Sequence, residues 1–203
     1  MNILDSKFYR WLEVFANFLL LNLLWLLACI PVLTIYPATA AMFAVVRDWV
    51  RKKDVGVIQP FFLGFRENFK QSFVIGMVWT LFGTALVLDF FLVNQMPSGL
   101  STVLYLLLSF MLLLYAFTSV YLFPVMVHFD TTWPVVLKNS LLLGIGRLLT
   151  TVQCLLVVVI TVSVSFFAPF TLLITGSITA YLVYRLCDRE FRRVEALTRA
   201  RGD

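Results

Sequence analysis

The sequence is poor in charge: only 13% of its 203 residues are Asp, Glu, Lys or Arg, and 61% are hydrophobic. Soluble domains carry about 25% charged and 45–50% apolar residues, so a water-soluble globule is excluded. Histidine is nearly absent. The one present, His128, rules out a multi-histidine metal centre, and H-x-D at 128–130 is alone a weak pattern. No P-loop, GxSxG, HExxH or CxxC occurs, which leaves no candidate for phosphate cradling, nucleophilic catalysis or zinc hydrolysis. The expectation is a non-enzyme with no catalytic residues, no cofactor and no metal. Cysteine is sparse too: Cys29, Cys154 and Cys187 are odd in number, far apart and set in or beside apolar runs. They read as small hydrophobes, not as a disulfide framework.

What is abundant is long apolar sequence. Runs at roughly 72–93, 102–124, 148–168 and 170–187 approach or exceed the ~20 residues that a helix needs to cross a ~30 Å hydrocarbon core. They are continuously apolar and do not alternate with a period of two, so helices are expected and a barrel is not. The fold class is therefore all-α: a polytopic transmembrane helix bundle forming a single membrane domain over 1–203. The net charge of +5 is read as the cytoplasmic excess of Lys and Arg that orients membrane proteins. Nucleic acid is not an expected partner; the lipid bilayer is.

The count of spans turns on the first third of the chain. Val14 to Trp49 is apolar for about 36 residues, too long for one ordinary span. Pro31 and Pro37 bracket a break within CIPVLTIYPAT, because proline removes a helical hydrogen bond and biases the residue before it away from helix. If the chain returns there, 14–30 and 32–50 form an N-terminal hairpin of two segments, the second short or re-entrant. Six membrane segments then place both termini and all 16 Lys and Arg residues on the cytoplasmic side. If it does not return, five spans leave the N-terminus outside. The return is the favoured reading. Ala38-Thr39-Ala40 resembles a signal cleavage site, but the apolar run before it exceeds the ~7–15 residues of a signal h-region, so cleavage is not expected.

Beyond residue 60 the expected units are an interfacial helix plus hairpin at 60–124, the same at 133–187, and a cytoplasmic helical tail at 188–203. Phe61, Phe65, Phe69 and Phe73 recur at i+4 beside Arg66, Glu67 and Lys70, the composition of a helix in the headgroup region. Such a helix anchors the bundle, or it forms a cytoplasmic docking surface. The two units repeat in the same direction, unlike the inverted repeats of many secondary transporters. Ser72, Gly76, Thr80 and Thr84 form a small-residue groove, read first as internal packing and second as a homodimer seam. Asp89 is the only acid well within a span and a candidate functional residue, one turn from the outer loop. Asn17, Asn22 and Gln153 are uncharged and suited to bonding neighbouring helices. In the tail, Asp188 stands opposite Arg192 at i+4.

N-L-L-W-L-L at 22–27, Pro31 and Thr34 of IPVLT, Pro37-Ala38-Thr39-Ala40, V-V-R-D-W at 45–49 and F-F-L-G-F-R-E-N-F-K-Q-S at 61–72 together resemble the conserved blocks of the YesL-type bacterial membrane proteins. Size and span pattern agree along nearly the whole chain; the later half is similar mainly in hydropathy. The resemblance gives structural weight to Pro31, Pro37 and Arg66 and supplies no catalytic or binding residue; Asn22, Thr34 and Phe65 stand beside them as structural or candidate functional residues. It implies an accessory role in carbohydrate uptake or utilisation at the bacterial plasma membrane, with subunits of a sugar ABC importer as the suggested partner. The alternative is a small solute permease in which Asn17, Asn22, Asp89 or Gln153 touches the solute.

Overall fold

Two prolines and a threonine turn the chain back on itself. The computed structural model describes residues 3–53, 55–95, 98–129 and 131–202. Helix α1 (Ile3–Ala28) gives way at Pro31, extended at φ −76° and ψ 113°, to a single 3-10 turn over Val32–Thr34. The Thr34 hydroxyl lies 2.5 Å from the Ala28 carbonyl and 2.6 Å from that of Pro31, so it ties the end of α1 to the turn. Helix α2 (Ile35–Val50) follows. Pro37 is its third residue, where an N–H would have had no intrahelical acceptor, so proline starts the helix without breaking it.

α2 then runs back along α1. Near the turn Trp25 Nε1 donates to Thr39 Oγ1 at 3.2 Å; further down, Phe18 and Trp49 meet edge to face at 5.1 Å. The returning hairpin expected from the prolines is present. Its second arm is short, since 16 residues rise ~24 Å. Five other segments are long and apolar enough to cross a membrane: Phe8–Ala28, Ile58–Val93, Ser101–His128, Leu148–Phe167 and Pro169–Ala196.

α2 is the centre of the bundle, not its edge. Pro37, Ala38 and Ala40 through Val46 are all buried, with α1, α3, α4 and α7 packed around them. Alanine at 38, 40, 41 and 44 allows this, because small residues let backbones approach where lipid gives no hydrophobic drive between helices. A Cβ added at Gly64 of α3 (Ile58–Val93) would sit 2.8 Å from that of Ala44. Farther along α3, the Tyr36 ring lies over Gly76 and its hydroxyl bonds to Thr80. Gly76 and Thr80 of the small-residue groove are therefore covered by Tyr36, and Ser72 is buried one turn away, which is internal packing.

α3 and α4 (Ser98–His128) form an antiparallel hairpin, joined by Trp79 Nε1 to Ser119 Oγ at 2.8 Å and Tyr105 to Asn94 at 3.2 Å. From the level of Tyr36 this hairpin continues another 13 residues, ~20 Å, around a small core of its own at Leu86, Val93 and Leu108. α5 (Trp133–Gly146) packs on α4. After a break at Arg147 (φ −128°, ψ 54°) come α6 (Leu148–Phe167), a 3-10 turn at Pro169–Thr171 and α7 (Leu172–Gly202). α6 and α7 are antiparallel, with Thr161 bonded to Thr179 at 2.6 Å.

Two boundaries differ from expectation. α1 starts at Ile3, not Val14, since nothing between them breaks a helix. Residues 60–71, expected as a separate interfacial helix, are the first turns of α3 and continue straight into its span. Asn68 and Ser72 fold back onto the carbonyls of Gly64 and Asn68 (2.9 and 2.6 Å), so no polar group at the junction competes with the helix. The second unit does break, at Gly144–Gly146–Arg147, so α5 is an element distinct from α6. The tail continues α7 as expected.

Candidate functional site

Polar side chains converge where α2, α4, α6 and α7 come together at one end of the bundle. Arg47, in the last turn of α2, donates to the Val127 carbonyl at 2.6 Å. One turn on, Arg51 approaches His128 Nδ1 at 3.2 Å. The histidine side chain is 3% exposed, and it also meets Tyr184 (Nδ1 to hydroxyl, 2.9 Å) and Glu195 (Nε2 to Oε1, 3.1 Å). Arginine can only donate, so Nδ1 is the acceptor, and Nε2 carries the proton given to Glu195. Phe129 and Phe191 close over the ring.

A second knot lies beside it. Glu190, 6% exposed, takes a hydrogen bond from Thr150 at 3.3 Å and pairs with Arg193 and with Arg147, each at 3.1 Å. Buried Asp188 pairs with Arg192 at 2.7 Å, the i+4 contact expected from spacing. A buried carboxylate is costly unless paired; the arginines of α7 pair within their own helix, while Arg147 and Thr150 tie Glu190 to the start of α6 at the kink. Thr151 completes the kink, lying 2.9 Å from the Gly144 carbonyl and 3.0 Å from that of Arg147.

The acids of α7 thus neutralise part of the positive end, as Asp48 of α2 does for Lys53 at 3.1 Å, and much of the positive charge there still reaches the surface. Arg51, Lys52, Lys53, Arg66, Lys70, Arg185 and Arg189 are exposed. Beside Arg66 and Lys70, the expected aromatic stripe turns outward from the core. Phe61 is buried, Phe65 and Phe73 are half-buried, and Phe69 is exposed, with ring contacts at 5.5 Å (Phe65–Phe69) and 6.3 Å (Phe69–Phe73).

The other singled-out residues are not brought together. Asn22 is fully buried between α1 and α7, donating to the Leu172 carbonyl at 2.6 Å and accepting from the Ser177 N–H at 3.0 Å. Asp89 is exposed near the far end of α3, Gln153 is exposed on α6, and Asn17 lines a crevice beside Phe18 and Tyr181. Pro31, Thr34 and Pro37 form the turn. Asp130 of the H-x-D pattern lies outside the described residues. Among the described residues no group of three His, Cys, Asp or Glu is placed to hold a metal ion. Sequence reasoning missed Tyr184, Glu190 and Glu195. Nothing local marks them, because their partners on α4 and α6 lie 40 to 67 residues away in sequence.

Comparison with known proteins gives a consistent picture. A family model described as "Protein of unknown function, DUF624" matches residues 18–90, which span the last 11 residues of α1, all of α2 and nearly all of α3. No solved structure matches. Three proteins of Bacillus subtilis (strain 168) are similar. The "Uncharacterized protein YesL" is 29% identical over 180 residues, 86% of this chain and 85% of that one. The "Uncharacterized protein YesV" is 29% identical, covering 73% of each. The "Uncharacterized protein YteU" is 34% identical over 74% of this chain and 69% of its own length. On that identity and coverage the chain belongs to the YesL-like DUF624 family.

Proposed function

We propose that this is a non-enzymatic accessory protein of the bacterial plasma membrane whose basic end docks a partner in carbohydrate uptake or utilisation, with subunits of a sugar ABC importer as the first candidates. In this reading the basic end, with both termini, faces the cytoplasm, as the lysine and arginine bias of membrane proteins favours. One observation carries the docking: exposed Arg66 and Lys70 stand beside exposed Phe62 and Phe69 on the first turns of α3. The half-buried Arg47 and Arg147, by contrast, are committed to a carbonyl and an acid within the bundle. Aromatic and arginine side chains are the usual anchors of protein interfaces. The carbohydrate link rests on the YesL-type resemblance.

The test is photo-crosslinking from position 66, in cells growing on a polysaccharide, followed by identification of the adduct. An importer subunit, lost when Phe69→Ser and Lys70→Glu are combined, supports the reading. Recovery of lipid alone contradicts it. Sugar flux through proteoliposomes of the purified chain, abolished by Asp89→Ala, would instead establish the permease alternative.

A further inference from the structure

Lys138 is a cation in an apolar place. It lies on α5, exposed, and makes no ion pair among the described residues. α5 rests on α4 where Gly144 meets the Phe117 backbone, a Cβ there standing 3.1 Å from the carbonyl. Lys138 is six residues earlier, ~9 Å nearer the start of α5, which follows closely on His128 and the basic end. Its ammonium therefore sits against spanning helices but within side-chain reach of the headgroup level, the situation in which lysine snorkels.

Beside it a crevice of about 310 Å³ opens between α3, α4 and α5, lined by Trp79, Phe82, Met111, Leu114, Tyr115 and Leu141 together with Lys138. Its wall is built and stiff. Trp79 and Tyr115 stack at 4.6 Å, and Tyr115 lies flat on α3 because residue 83 is glycine, where a Cβ would come 2.6 Å from the phenol oxygen. The crevice has a direction: Lys138 belongs to the first half of α5, which begins just after His128, while Phe82 and Met111 lie toward the far end of the α3–α4 hairpin. That is the polarity of a phospholipid in the leaflet at the basic end, with its headgroup at the surface and its chain toward the midplane.

We propose that this crevice is a specific site for an anionic phospholipid, one acyl chain lying along Trp79, Tyr115 and Leu114 and the phosphate paired with Lys138. A neutral chain-bearing lipid fits the apolar part equally well, so the lysine is what selects the anionic headgroup.

Trp79 provides the readout. The full chain is reconstituted in phosphatidylcholine nanodiscs containing a small fraction of either phosphatidylglycerol or phosphatidylcholine brominated on the acyl chain. Trp79 quenching is taken as the difference between wild type and Trp79→Phe. Brominated phosphatidylglycerol is expected to quench at about fivefold lower mole fraction than brominated phosphatidylcholine, the factor one lysine contributes near an anionic surface. Lys138→Arg keeps the preference and Lys138→Gln removes it. Leu141→Phe, which narrows the crevice, weakens quenching by both lipids. Soluble glycerol phosphate, a head without a chain, leaves quenching unchanged. Equal quenching by the two lipids in wild type, a preference that survives Lys138→Gln, or relief by glycerol phosphate would each overturn the proposal. Native mass spectrometry of the detergent-released protein reads the same point without Trp79→Phe: one phosphatidylglycerol retained on wild type and none on Lys138→Gln, with retention on both contradicting it.

Discussion

Asn22 shows what a polar side chain does inside this bundle. Its amide donates to one α7 backbone group and accepts from another, and Gly176 makes room for it by lacking a Cβ. Interhelical hydrogen bonds of this kind contribute ~1 kcal/mol in membranes. Asn22→Leu is therefore expected to lower stability by about that amount in a detergent unfolding titration, without loss of the fold. His128 is more consequential, because three elements share it. Its replacement by alanine strands Arg51 and Tyr184 and frees Glu195. Hydrogen exchange across 188–196 of α7 is expected to quicken by at least ~10-fold in His128→Ala while the α3–α4 hairpin keeps its protection; unchanged exchange in α7 would mean that the histidine is a bystander.

At the scale of elements, α2 is the part on which the rest is assembled. Ala41 is fully buried and close to Gly64, so Ala41→Leu overfills a closed seam and is expected to cost about 1–3 kcal/mol. Leu106 is 77% exposed on α4 and faces lipid, so Leu106→Ala is expected to change stability by less than ~0.5 kcal/mol. A thermal-shift comparison of the two separates a core helix from one merely lying on the bundle. The turn before α2 was legible in the sequence because proline acts locally: Pro31 and Pro37 restrict their own neighbours wherever the helix packs. The continuity of α3 through 60–71 was not, since an aromatic stripe with basic flanks looks the same on a surface helix and on the first turns of a span. Only the Gly64–Ala44 seam decides between them. The polar knot was illegible for a related reason. Tyr184, Glu190 and Glu195 carry spacing suited to an ordinary solvated helix, and their partners lie 40 to 67 residues away in sequence.

For the whole molecule, the account rests on the chain reversing at residues 29–34 so that Arg47, Arg51, Arg147 and the arginines of α7 collect at one end while the α3–α4 turn lies at the other. That arrangement explains why α7 needs buried acids, and where a docking face and a lipid site lie relative to one another. Impermeant maleimide labelling in intact cells tests it directly, in a Cys29→Ser background, since Cys154 and Cys187 are buried and Cys29 is half-buried. Single cysteine probes at Lys53 and Asn94, both exposed, mark the two ends. The expected result is rapid labelling at Asn94 in intact cells and labelling at Lys53 only after the membrane is permeabilised. Rapid labelling at both positions in intact cells, or at Lys53 alone, would contradict the account.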